Sequence, residues 1–126
     1  MDKLIALALA ATVALMVPTS VAVAGDRDVI REGSCQRSTD WKLKVSPEDG
    51  RLEVEYEVDQ NVSGDRWRVR IRHDGDLAFR GVRTTRGASG SFEVRIVESN
   101  RPGADRFKGL ATNVSTGERC VGTATF

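Results

Sequence analysis

From Trp41 to the C-terminus, apolar and polar residues alternate along most of the chain. Trp41, Leu43 and Val45 are separated by Lys42 and Lys44, and Leu52, Val54, Tyr56 and Val58 by Glu53, Glu55 and Glu57. Trp67, Val69 and Ile71 sit among Arg66, Arg68, Arg70 and Arg72, and Phe92, Val94 and Ile96 among Glu93, Arg95 and Val97. Successive side chains of a strand point to opposite faces, so this period predicts strands with one buried and one wet face. Leu77 to Arg83 reads as a weaker strand broken by Gly81, and Phe107 to Val114 and Arg119 to Phe126 as a hairpin around Ser115-Thr116-Gly117-Glu118. Pro47-Glu48-Asp49-Gly50 and His73-Asp74-Gly75-Asp76 supply turns, where proline presets one φ and glycine accepts a positive one. Longer connections are Thr84 to Gly90 and Glu98 to Ala104. Seven short strands with turn signals about every ten residues, and no helical period, predict an antiparallel two-sheet sandwich.

The second and third runs suggest a register. If they form a hairpin with Val58 opposite Trp67, then Tyr56 faces Val69 and Val54 faces Ile71. On the other side Glu57, Glu55 and Glu53 then face Arg68, Arg70 and Arg72. One face becomes wholly apolar and the other an acid–base ladder, and a one-residue slip would destroy both.

The start of the chain reads differently. Met1-Asp2-Lys3 precedes an apolar and small-residue run from Leu4 to Val17, and Pro18 ends it. Ala22-Val23-Ala24 fits a signal-peptidase site, which places cleavage between Ala24 and Gly25 and the mature chain outside the cell. The run is shorter than the roughly 20 residues that cross a bilayer, so no membrane association is expected once it is removed. What remains is one domain's worth of chain. The segment 25–34 is polar and patternless and reads as a flexible leader, with the sandwich spanning 35–126. Cys35 and Cys120 are the only cysteines, and in an exported chain they predict one disulfide. Closing so long a loop contributes about 4 kcal/mol in the chain-entropy description. A single cysteine pair with one histidine argues against zinc.

The net charge is +1, and the removed segment carries one residue of each sign, so the mature value is the same. A near-neutral chain with interspersed signs predicts no long-range attraction to nucleic acid. The expected acid–base ladder would neutralise Arg66 to Arg72 in any case, and that polar face carries no aromatic for base stacking.

The order of strands, Trp67 on the third, and Asp105-Arg106-Phe107 entering the sixth resemble an immunoglobulin-like or fibronectin type III domain. The resemblance implies that Phe107 packs the corner between the sheets, without the hydroxyl of the more usual tyrosine. It also implies a difference, because Cys35 and Cys120 would join the leader to the seventh strand rather than the second to the sixth. The whole chain resembles the small secreted single-domain β-sandwich proteins of high-GC bacteria. That resemblance covers Cys35 to Phe126 and implies a fold and no activity.

Candidate chemistry is sparse. Asp59, Asn61, Ser63 and Asp65 alternate through "DQNVSGD" with Gly64 at the sixth place, a spacing that can present several oxygens to calcium. The twelfth place is Arg70, where a bidentate glutamate belongs, and the flanks are strands, so a hairpin turn is the competing reading. His73 falls on the apolar parity at a strand end and reads as a polar cap at the rim, since no nucleophile accompanies it. Glu48-Asp49 and Asp74/Asp76 are carboxylate pairs without a groove to set their spacing, and read as turn residues. Asn61-Val62-Ser63 and Asn113-Val114-Ser115 are formal glycosylation sequons.

These features predict a secreted, monomeric, non-enzymatic sandwich without cofactor that binds a protein or cell-surface component through its end loops. The alternative is a carrier of a small apolar ligand, similar in fold and size to the neocarzinostatin-type chromoproteins, with Phe79, Phe92 or Trp67 lining a cleft. Those proteins are more acidic and carry two disulfides.

Overall fold

The computed structural model describes residues 27–126; the expected signal and its cleavage point at Ala24–Gly25 lie outside the described residues. Eight strands make two antiparallel four-stranded sheets. In chain order they are β1 (Val29–Ser34), β2 (Asp40–Glu48), β3 (Arg51–Asp59), β4 (Arg66–His73), β5 (Asp76–Thr84), β6 (Ser91–Ser99), β7 (Arg106–Asn113) and β8 (Arg119–Thr125). The first sheet runs β1-β2-β3-β6 and the second β5-β4-β7-β8.

The alternation locates seven of these strands. The eighth, β1, lies within the segment expected to be a flexible leader. It pairs with β2 from Val29 opposite Val45 to Ser34 opposite Asp40. As an edge strand it is held by backbone hydrogen bonds on one side, and most of its side chains are exposed, so it leaves no period-two signature.

The expected hairpin of β3 with β4 does not form. Val58 lies opposite Trp41 on one side and Phe92 on the other, and Trp67 lies opposite Arg83 and Asn113. The stretch between Asp59 and Arg66 carries the chain across from one sheet to the other. Which face of each strand is apolar is unchanged, because that depends only on the period. The neighbours differ, and the ladder of Glu53, Glu55 and Glu57 with Arg68, Arg70 and Arg72 does not exist.

Leu52, Val54, Tyr56 and Val58 meet Trp67, Val69, Ile71 and Phe107 between the sheets, all fully buried. Glycines make room for two aromatic rings, the fully buried Tyr56 and the partly buried Trp41. An added Cβ on Gly109 would stand 2.9 Å from the Tyr56 ring, and one on Gly122 would stand 2.6 Å from Trp41. Tyr56 Oη donates to the Cys120 carbonyl at 2.8 Å, and burial raises its phenol above the ordinary range. The disulfide forms as expected, with Cα atoms 4.4 Å apart. It ties the loop after β1 to β8 and so joins an edge of one sheet to an edge of the other. Glu118 holds the same loop, accepting from Thr39 Oγ1 at 2.7 Å and from the Arg37 amide at 2.8 Å.

Candidate functional site

Four places carry enough polar chemistry to be weighed. The first is the end of β4. His73 occupies an inward position and is 1% exposed, deeper than a rim cap. Its ring stacks at 4.3 Å on Phe107, its fully buried cross-strand neighbour on β7. His73 Nε2 lies 2.6 Å from Asp105 Oδ1, and Nδ1 lies 3.3 Å from Glu98 Oε1. The Arg101 amide also donates to Asp105 Oδ1 at 3.1 Å. With the Asn100 amide oriented to satisfy both its ends, its nitrogen donates to Asp105 Oδ2 at 2.9 Å. His73, Asp74 and Asp105 bring ligand atoms within 4.8 Å of one another. Asp105 is fully buried and its oxygens are engaged, and Asp74 accepts from the Arg106 amide at 2.8 Å. A histidine and carboxylate sealed from solvent and already bonded to each other act as a structural corner, because no substrate atom can reach them.

The second is the loop Asp59–Asp65. Asp65 Oδ2 accepts from Gln60 Nε2 at 2.6 Å and from Asn113 Nδ2 at 3.1 Å, which lowers its carboxyl below the usual range, Gln60 contributing most. Ser63 Oγ donates to the Gly87 carbonyl at 2.5 Å, and Asp59 Oδ1 accepts from the Asn61 amide at 3.3 Å. Gln60 Oε1 takes the buried Trp67 Nε1 hydrogen at 3.0 Å. Asp59, Ser63 and Asp65 are thus turned to separate protein partners and not to one point. The loop does not close a hairpin either. It clasps the β5–β6 connection, with Gly64 donating to Thr85 and Gln60 to Gly90. The Thr84 to Gly90 connection is anchored there at Thr85 and Gly90 while 86–89 stay exposed, and a Cβ on Gly90 would overlap the Val62 backbone. Of the two sequons, Asn61 is exposed, whereas Asn113 is 1% exposed and bonded to Asp65.

The third is the aromatic set proposed for a ligand cleft. Trp67 is fully buried and packs against Phe92 at 6.3 Å, and Phe79 lies beneath the Arg83 guanidinium at 5.0 Å. Trp67 and Phe92 fill the interior instead of lining an opening.

The fourth arises from the sheet assignment. The strands alternate, so each sheet has one outward face, and consecutive strands β3 and β4 send theirs to opposite sides of the molecule. The outward face of the first sheet carries Arg51, Glu53, Glu55, Glu57 and Asp59 on β3, with Glu93 and Arg95 on β6 and Lys42 and Lys44 on β2. Arg95 is the hub there: its guanidinium lies 2.5 Å from Glu53 and 3.6 Å from Glu48. It holds the Glu53 carboxyl down to about 2, while the hydrogen bonds Glu53 shares with Glu48 and Glu55 raise theirs.

The outward face of the second sheet has no acid on any strand. It presents Arg66, Arg68, Arg70 and Arg72 from β4, Arg80 from β5, Arg106 and Lys108 from β7 and Arg119 from β8, interleaved with Val82, Leu110, Thr112 and Val121. Arg70 lies opposite Arg80, so two of these cations are direct cross-strand neighbours. Among the described residues none of the eight is in a salt bridge; Asp74, in the turn at one end, and Asp76, the first residue of β5 on the parity of buried His73, pair with Arg101 at 3.5 and 3.0 Å. Outward neighbours along a strand are about 6.5 Å apart. At that spacing like charges repel by about 0.6 kcal/mol per pair in water. The chain of net charge +1 is therefore strongly polarised, and the expectation of evenly interspersed signs is overturned. The sequence signal was present, in the arginines of β4 and glutamates of β3, but it is read correctly only once the two strands are known to lie in different sheets.

Comparison with known proteins adds nothing to this geometry: no family model, curated protein or solved structure matches the chain.

Proposed function

We propose that this protein is an exported, non-enzymatic binding module whose contact surface is the outward face of the second sheet. The observation that carries the reading is the set of eight unneutralised cations on a rigid face built by four paired strands. Such a field steers an anionic partner and holds it without moving parts. Export is supported by the signal-like start and by the disulfide, which persists in oxidising surroundings. The non-enzymatic reading is supported by the burial of His73, the chain's one histidine, and of Asp105, the carboxylate nearest to it. The immunoglobulin-like reading gains support from connectivity. Setting β1 aside, the first, second and fifth strands share one sheet, and the third, fourth, sixth and seventh the other.

Cation-exchange chromatography of the oxidised chain 25–126 tests this at matched net charge. Arg68→Gln/Lys108→Gln and Lys42→Gln/Arg51→Gln each remove two positive charges, from the second and first sheet respectively. The wild type is expected to be retained despite its charge of +1, the first variant to elute much earlier, and the second close to wild type. Equal shifts in both variants would show that net charge alone governs retention and that the face is not a binding surface. N-terminal sequencing of the exported protein should begin at Gly25.

A further inference from the structure

Resting on that reading, we propose that the partner of the basic face is a linear polysaccharide bearing sulfate or phosphate esters. Three shallow hollows cross the face. One of about 460 Å³ is lined by Arg68, Arg70, Arg80, Val82, Leu110 and Thr112. The next, of about 260 Å³, shares Arg70 and Leu110 with it and adds Arg72, Lys108 and Arg119. The third, of about 560 Å³, shares Arg72 and Lys108, continues to Arg106 and Thr123, and ends against Asp74 and Gly75 of the β4–β5 turn. Shared walls make them one trough running obliquely from β5 to β8. A trough accepts an extended chain.

Chemistry narrows the chain. All but one of the cations are arginines, whose planar fork donates two parallel hydrogen bonds to a tetrahedral oxyanion. Between them lie hydroxyls, on Thr112 and Thr123, and small aliphatic side chains, on Val82, Leu110 and Val121. Leu110 is half-buried in the trough floor. That mixture suits a sugar ring, which offers hydroxyls at its edge and C–H groups on its face. Single-stranded nucleic acid is disfavoured because no outward position on these strands is aromatic, so bases have nothing to stack on. Duplex DNA is disfavoured because the face has no helix or projecting ribbon to enter a groove. A lipid surface is disfavoured because the face is grooved, its apolar side chains Leu77, Val82, Leu110 and Val121 are dispersed among arginines, and no aromatic side chain stands among them to enter an interface.

The test measures binding of the oxidised chain 25–126 to fluorescent dextran sulfate and dextran phosphate by anisotropy. Neutral dextran, single- and double-stranded DNA of matched charge, and anionic phosphatidylglycerol vesicles are run in parallel. Both charged dextrans are expected to bind and neutral dextran not to. The logarithm of affinity should fall linearly with the logarithm of salt concentration, with a slope of several units. Arg68→Gln/Lys108→Gln should weaken dextran sulfate binding at least ten-fold, and Lys42→Gln/Arg51→Gln less than two-fold, with unchanged melting curves showing that both variants fold. Binding to DNA or vesicles as tight as to the charged dextrans would overturn the polysaccharide assignment. If that binding is lost in the same variant, the face still stands as the contact surface. If no anionic probe binds, or binding ignores the face variant, the assignment and the proposed function fall together.

Discussion

Replacing Asp105 with alanine removes the carboxylate on which the end of β4 depends. Asp105 is fully buried and accepts from His73 Nε2 at 2.6 Å and the Arg101 amide at 3.1 Å. His73 is 1% exposed, and the other carboxylate beside the same nitrogen, Asp74 Oδ2 at 3.6 Å, is beyond hydrogen-bond reach. Deleting one member of a buried charged hydrogen-bonded pair costs about 3–5 kcal/mol, most of it from the partner left behind. For a domain of this size each kcal/mol lowers Tm by about 4–8 °C, so a fall of at least about 12 °C is expected. Urea unfolding followed through the emission of buried Trp67 measures the loss directly, in the oxidised protein so that the disulfide is common to all variants. The double variant His73→Leu/Asp105→Ala separates the orphaned ring from the lost packing. It should be less damaged than the two single variants added together, with a coupling of about 0.5–3 kcal/mol. A loss below about 1 kcal/mol in Asp105→Ala, within the range of one ordinary hydrogen bond, would refute the reasoning. It would mean that the pair is not what holds the corner, and would reopen His73 as a chemically free group.

Three other outcomes follow from the packing. Converting Cys35 and Cys120 to alanine opens a loop spanning a sequence separation of 85 and should cost about 4–5 kcal/mol in a urea titration; a loss under about 1 kcal/mol would show that β1 and β8 hold together without it. Gly109→Ala places a methyl 2.9 Å from the Tyr56 ring and should destabilise by about 1–3 kcal/mol, whereas an unchanged Tm would show that the sheets yield there. Arg95 holds the Glu53 carboxyl down to about 2, so the stability this pair adds is fully present above the ordinary carboxylate range and is lost as the pH falls through about 2. In Arg95→Met, carboxyl NMR should find Glu53 titrating well above its wild-type value, and an unmoved midpoint would remove Arg95 as the cause.

Period-two alternation determined which side chains of β2, β3, β4, β6, β7 and β8 face inward, and it did so without reference to any partner. Cysteine content and an export-like start determined the disulfide in the same local way. The calcium spacing at Asp59–Asp65 was equally visible, and what the sequence could not show was that Asp65 and Ser63 already have protein partners: Gln60 and Asn113 for Asp65, Gly87 for Ser63. β1 escaped because an edge strand bound through its backbone needs no side-chain pattern. The identity of each strand's neighbours was decided only in three dimensions. Strands adjacent in sequence commonly pair, and glutamates on β3 followed by arginines on β4 invite that pairing. The chain instead crosses between the sheets at Gln60–Asp65, pinned by Thr85 and Gly90 from a loop more than twenty residues further on. Alternation is set by the geometry of a single strand, while sheet membership is set by contacts distant in sequence. That one crossing turned a neutral ladder into an acidic face and a basic one, and with them the site on which the proposed function rests.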